Sequence, residues 1–129
     1  MAQWFSFVRS QDNATASISI DIGINAERDV PSHPIAFLLV RRIEDGADPA
    51  PIRELEEQLN EKFEAAGFRM VAVLTMSGSR TLVVYGEDEE RLRAIMAEVP
   101  EPFAIQPNED RAWQWYRTLL PTNEEITNG

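Results

Sequence analysis

The side chains able to do chemistry in this chain are few and scattered. It has one histidine, His33, in the tripeptide SHP, and no cysteine in 129 residues. Without thiols there is no cysteine nucleophile, no thiolate metal ligand, no disulfide and no redox chemistry at sulfur. A metal centre needs clustered His, Cys, Asp or Glu at ligand spacing, and no acidic pair lies nearer to His33 in sequence than Asp29. As a general base His33 lacks any serine or cysteine motif beside it, so it reads as an exposed loop residue. Ser17, Ser19 and Asp21 form an alternating polar row that belongs on the wet face of a strand. If that face were a cleft, Ser19, Asp21 and His33 would be its candidate ligand residues.

Other signatures fail on spacing. No GxGxxG or GxxxxGK occurs, so no phosphate loop is expected. The run GEDEER at 86–91 lacks the alternating Asp/Asn pattern of a calcium loop and suits the first turn of a helix. With 22 acidic residues, carboxylate pairs arise by chance and identify no glycosidase. The expectation is a chain with no catalytic set, no metal and no cofactor.

Charge narrows the partners. Twelve basic and 22 acidic side chains give a net charge of −10, while residues 1–43 carry four of each sign. The excess therefore lies from Glu44 onward, chiefly in 52–66 and 87–98. Such a surface repels nucleic acid and anionic membranes and suits a basic protein partner, with Glu57 and Glu61 as candidate contacts. No signal-like segment and no membrane-length apolar run is present, which with the missing cysteines points to the cytoplasm.

Those residues must be positioned by a small set of elements. WFSFV from Trp4 and TASISIDIG from Thr15 read as strands, the second with Ile18, Ile20 and Ile22 alternating against its polar row. Residues 23–34 have no period and read as a loop. IAFLLVRRIE from Ile35 is apolar enough for a strand covered on both faces. Asp48 and Pro49 then open a helix whose stripe is Ile52, Leu55, Leu59, Phe63 and Ala66, stopped by Gly67. FRMVAVLTM at 68–76 and TLVVYG at 81–86 form a hairpin through SGSR. EDEERLRAIMAEV is a second helix, PFAIQP an edge strand, and Asn108 the expected cap of a last helix with Glu109 and Asp110 in its first turn. The order from Ile35 is βαββαβ, so one domain over 1–129 is expected: α+β, ferredoxin-like, with an N-terminal β-hairpin and an extra C-terminal helix over an edge or open end.

The last helix carries an aromatic cluster, DRAWQWYRTLLP at 110–121. On a helical wheel Trp113, Tyr116 and Leu120 make one stripe, and Ala112, Trp115 and Leu119 a second. One stripe should close the core against Trp4 and Phe5 or Phe7, leaving the other for a protein partner or a second subunit, so Trp113, Trp115 and Tyr116 are candidate contact residues.

Three stretches carry a family resemblance: WFSF near the start, ASISIDIG at 16–23 and EDRAWQWYRTLLP at 109–121. Together they resemble the bacterial family called domain of unknown function 695, with a departure at Leu120, where a tyrosine would precede the proline. The resemblance implies an α+β sandwich without assigned enzymatic activity. It also implies a distant likeness to the ferredoxin-like protein inhibitors of ribonuclease E. The expected function is a non-enzymatic interaction or regulatory module. The alternatives are a small-molecule-binding or hydrolytic domain on an open sheet face, and an immunity-type inhibitor of a basic toxin.

Overall fold

The computed structural model describes residues 3–11, 14–24, 33–44, 46–76, 78–99 and 103–128. Six strands form one sheet: β1 (Trp4–Gln11), β2 (Ala14–Asp21), β3 (Ile35–Arg42), β4 (Arg69–Met76), β5 (Ser79–Gly86) and β6 (Ala104–Glu109). Every neighbouring pair is antiparallel, in the spatial order β1-β2-β4-β5-β3-β6. Helix α1 (Pro49–Ala65) crosses from β3 to β4, and α2 (Glu89–Ala97) from β5 to β6. Strands β4-β5-β3-β6 with these two crossovers are the split βαβ arrangement expected from Ile35 onward. The hairpin lengthens the sheet by pairing β2 with β4, Ile18 opposite Leu74 and Ile20 opposite Ala72. Helices α3 (Gln114–Leu119) and α4 (Asn123–Asn128) end the chain. The loop expected over 23–34 lies largely outside the described residues.

Local chemistry explains the boundaries. Asp48 accepts the Ala50 N–H at 3.0 Å ahead of Pro49, and Asp88 accepts that of Arg91 at 3.1 Å, so each crossover helix starts on an aspartate. Gly67, at φ +86°, ends the α1 turn in a backbone that only glycine adopts freely. Period-2 alternation then sorts each central strand. On β3, Phe37 and Leu39 join Leu59, Phe63, Leu92 and Met96 under α1 and α2. Ala36 and Leu38 join Trp113, Tyr116 and Leu119 on the opposite side, under α3. A register shift in β4 at Val71 places Val71 and Ala72 on the α3 side together. Helices on both faces are the reason the central strands lack polar alternation.

The C-terminal segment departs from expectation. Asn108 does not cap a helix: Asn108 and Glu109 continue β6 opposite Ala36 and Ile35, because that pairing satisfies β3 backbone groups that would otherwise be left unpaired. The N-cap position falls to Trp113, and the capping side chain is that of Asp110, which accepts the Gln114 N–H at 2.7 Å and the Trp115 N–H at 3.0 Å. The single expected helix is two. Pro121 holds Leu120 extended (φ −60°, ψ 138°) and ends α3, and Thr122 and Glu125 open α4 as a reciprocal capping box. The buried stripe is Trp113, Tyr116 and Leu119, in place of the two wheel stripes, because Trp113 sits before the helix at φ +56° and turns its ring into the core. Phe7, with Phe5 beside it, receives that ring set. Trp4 does not, since strand alternation sends it to the other side of the sheet, where it is 42% exposed.

Candidate functional site

Among the described residues, one constellation of polar side chains is interior and another faces solvent. The first lies around α3. Trp113 is fully buried, stacked on Tyr85 at 4.2 Å between ring centroids, and its indole donates to the His33 carbonyl at 2.9 Å. The Tyr85 hydroxyl donates to Asp110 at 2.6 Å and accepts the Tyr116 N–H at 3.2 Å. The Tyr116 hydroxyl reaches the Asp21 carbonyl at 2.6 Å, and the Asp21 carboxylate accepts the Gln3 N–H at 2.8 Å and the Gly23 N–H at 2.9 Å. Burial and the Asp110 bond push the Tyr85 phenol far above its ordinary range, and burial raises Tyr116. These hydrogen bonds tie hairpin, sheet and C-terminal segment together as a clasp.

The second constellation is the open face of the hairpin. Helix α1 lies over β4, and among the described residues no helix covers β1 and β2 on that side, where Trp4, Ser6 and Val8 on β1 stand opposite Asp21, Ser19 and Ser17 on β2. Between this bare face and α1 run two adjoining cavities of about 370 and 330 Å³ that share Ser6, Ser19, Arg53, Val73 and Arg80. Arg80 is clamped in the groove: its Nε and Nη2 bond the Glu56 carboxylate, the latter at 2.7 Å, and Nη1 bonds Thr75 Oγ1 at 2.8 Å. Ser6 and Ser19 join their hydroxyls at 2.8 Å. Arg53, Glu56, Glu57 and Asn60, at i, i+3, i+4 and i+7, are the helix wall.

The same face continues to the sheet edge. The bond from Ile22 N–H to the Gln3 carbonyl at 2.8 Å fixes the hairpin's alternation, so Phe5, Phe7 and Arg9 bond inward to β2. The N–H and C=O groups of Trp4, Ser6, Val8 and Ser10 therefore point off the sheet. A cavity of about 650 Å³ follows this edge, lined by Ser6 to Ser10 and Ser17 and closed by Glu124 and Glu125 of α4. Arg9 holds α4 there, bidentate to Glu125 at 2.8 and 2.9 Å and bonded to the Thr118 and Leu120 carbonyls at 2.8 and 3.1 Å. The Arg9 bond, with help from Thr122, pulls the Glu125 carboxyl down to about 2.

The sequence-derived candidates separate accordingly. Ser19 lines the groove, whereas Asp21, expected on the wet face, is buried because its carboxylate caps the end of the hairpin. His33 bonds the Gly67 carbonyl at 2.9 Å and lies edge-on to Trp113, so Asp21 and His33 serve different parts of the clasp. Trp113 and Tyr116 are interior, and Trp115 is 39% exposed. Glu57 stands on the groove wall and Glu61 on the exposed side of α1. Trp4, Ser6, Arg53, Glu56, Asn60 and Arg80 were missed; only the Ser17/Ser19 row signalled this surface.

Topology defines the class, an antiparallel α+β protein of the split βαβ type with an added hairpin. Within that class the chain belongs to the family of unknown function DUF695, whose model matches residues 2–120. The match covers all six strands and α1 to α3 and stops short of α4. No curated protein and no solved structure matches the chain significantly, and the expected likeness to the ribonuclease E inhibitors finds no support. The stretches that carry the resemblance meet in the clasp: Asp21 from one, and Asp110, Trp113 and Tyr116 from another.

Proposed function

We propose that this protein is a non-enzymatic interaction module that receives an extended segment of a protein partner along the free edge of β1. The observation that carries this reading is the edge itself. Eight residues long and without proline or lysine, β1 presents outward backbone groups beside two exposed apolar side chains, Trp4 and Val8. Such an edge invites strand addition, in which main-chain bonds give affinity and alternate side chains give specificity. The net charge of −10 and the glutamates of α4 favour a basic segment. An inhibitor of a basic toxin would be one case of it, and a second copy pairing β1 to β1 is the other occupant of the same edge.

Val8→Pro tests this directly. It removes one outward N–H and leaves the β1–β2 bonds in place, because the Val8 N–H is not among them. Wild type and V8P serve as parallel baits for affinity capture, with light scattering to follow self-association. The expected outcome is a protein, or a second copy, held by wild type and lost by V8P while circular dichroism is unchanged. Equal retention by both baits would remove the edge from consideration.

A further inference from the structure

We propose that the groove between the hairpin and α1 binds a small zwitterion of the α-amino-acid class with an apolar side chain, independently of any strand on β1. The charges in the groove decide the class. Arg80 and Glu56 neutralise each other and are fixed in place, Glu56 being buried. Arg53 and Glu57 remain. They line the same cavity one helical turn apart, and neither makes an ion pair or hydrogen bond among the described residues. Their order along α1 does not favour pairing with each other, since a base four residues before an acid is the weaker arrangement on a helix.

A ligand must therefore answer one positive and one negative group about a turn apart. A simple anion meets Glu57 beside Arg53, and a simple cation meets the reverse, so each loses on one side what it gains on the other. A wholly apolar ligand would desolvate the groove hydroxyls and guanidinium without return. A molecule carrying both a carboxylate and an ammonium satisfies both, the carboxylate toward Arg53 and the ammonium toward Glu57. Its apolar part has Trp4, Met70 and Val73 to rest on. The Ser6–Ser19 pair uses one of its two hydroxyl protons internally and keeps the other for the ligand. Cavities of about 370 and 330 Å³ are the size of a small-molecule site.

The test is a heteronuclear NMR titration with L-leucine, L-methionine and L-phenylalanine, each beside its N-acetyl and methyl-ester derivative. At least one free amino acid is expected to shift the backbone amides of Ser6, Ser19 and Val73 and the Trp4 indole at millimolar concentration. Loss of either charge should weaken its binding by roughly tenfold, a difference worth about 1.4 kcal/mol. Arg53→Gln should abolish the preference over the methyl ester, and Glu57→Gln the preference over the N-acetyl form. Both positions are exposed, so neither variant threatens the fold. The proposal is overturned if none of the free amino acids shifts these resonances, if free and blocked forms act alike, or if sodium chloride reproduces the effect.

Discussion

Trp113 shows how much one side chain can settle. A left-handed backbone costs a residue with a Cβ roughly 1–2 kcal/mol, yet here it aims the largest of the fully buried side chains at the sheet. Removing a buried ring of this size typically costs about 3–5 kcal/mol, so burial outweighs the strain. The polar partners of the ring set matter as much, because Asp110 is buried and each hydrogen bond it accepts offsets its desolvation. Tyr85→Phe deletes one bond to that carboxylate and the acceptor for the Tyr116 N–H. Urea unfolding should show a loss of about 1.5–3 kcal/mol, whereas Trp115→Ser, on the exposed side of α3, should stay within about 0.5 kcal/mol. Equal losses at the two positions would contradict the division between clasp and surface.

At the scale of elements, α4 is tied to β1 through Arg9. It lies beyond the family match, and Glu125 alone both closes its capping box and receives Arg9. The carboxyl titrates near 2 in the folded state against an ordinary value of 4.5. A lowered folded pKa gives stability that is present above the unfolded value and lost as pH falls through the folded one. Docking of α4 should therefore be complete at pH 6 and weaken between about pH 4.5 and 2. Glu125→Gln should reproduce the low-pH state at neutral pH. Amide exchange at residues 123–128 is the measurement, and protection unaffected by either change would refute the latch.

For the whole molecule, charge governs encounter more than fold. At a net charge of −10, long-range attraction of a basic partner is screened once the Debye length drops to about 10 Å near 0.1 M salt. A partner captured on β1 should associate much more slowly at high salt, with a smaller change in dissociation, because backbone pairing at the edge is short-ranged. Stopped-flow binding across a salt series separates the two rates. A salt effect confined to dissociation would place the charged contacts inside the interface instead.

The sequence determined the strands, both crossover helices and hence the split βαβ core, since period-2 and period-3.6 apolar patterns, aspartate caps and glycine stops are local signals. It also placed Ser17 and Ser19 on one face. Only the tertiary structure decided what those signals meant at the C-terminus and in the groove. The aromatic segment reads as a regular helix from Asn108 until β3 claims Asn108 and Glu109, a long-range demand that leaves the local capping to Asp110. Asp21 reads as wet until the end of the hairpin needs its carboxylate for Gln3 and Gly23. Glu57 reads as a contact for a basic partner, and Arg53 and Arg80 stand in no motif, because nothing local says that α1 lies over β4 and not over the hairpin. Local pattern sets which elements form; which of their faces stay uncovered depends on contacts between residues distant in the chain.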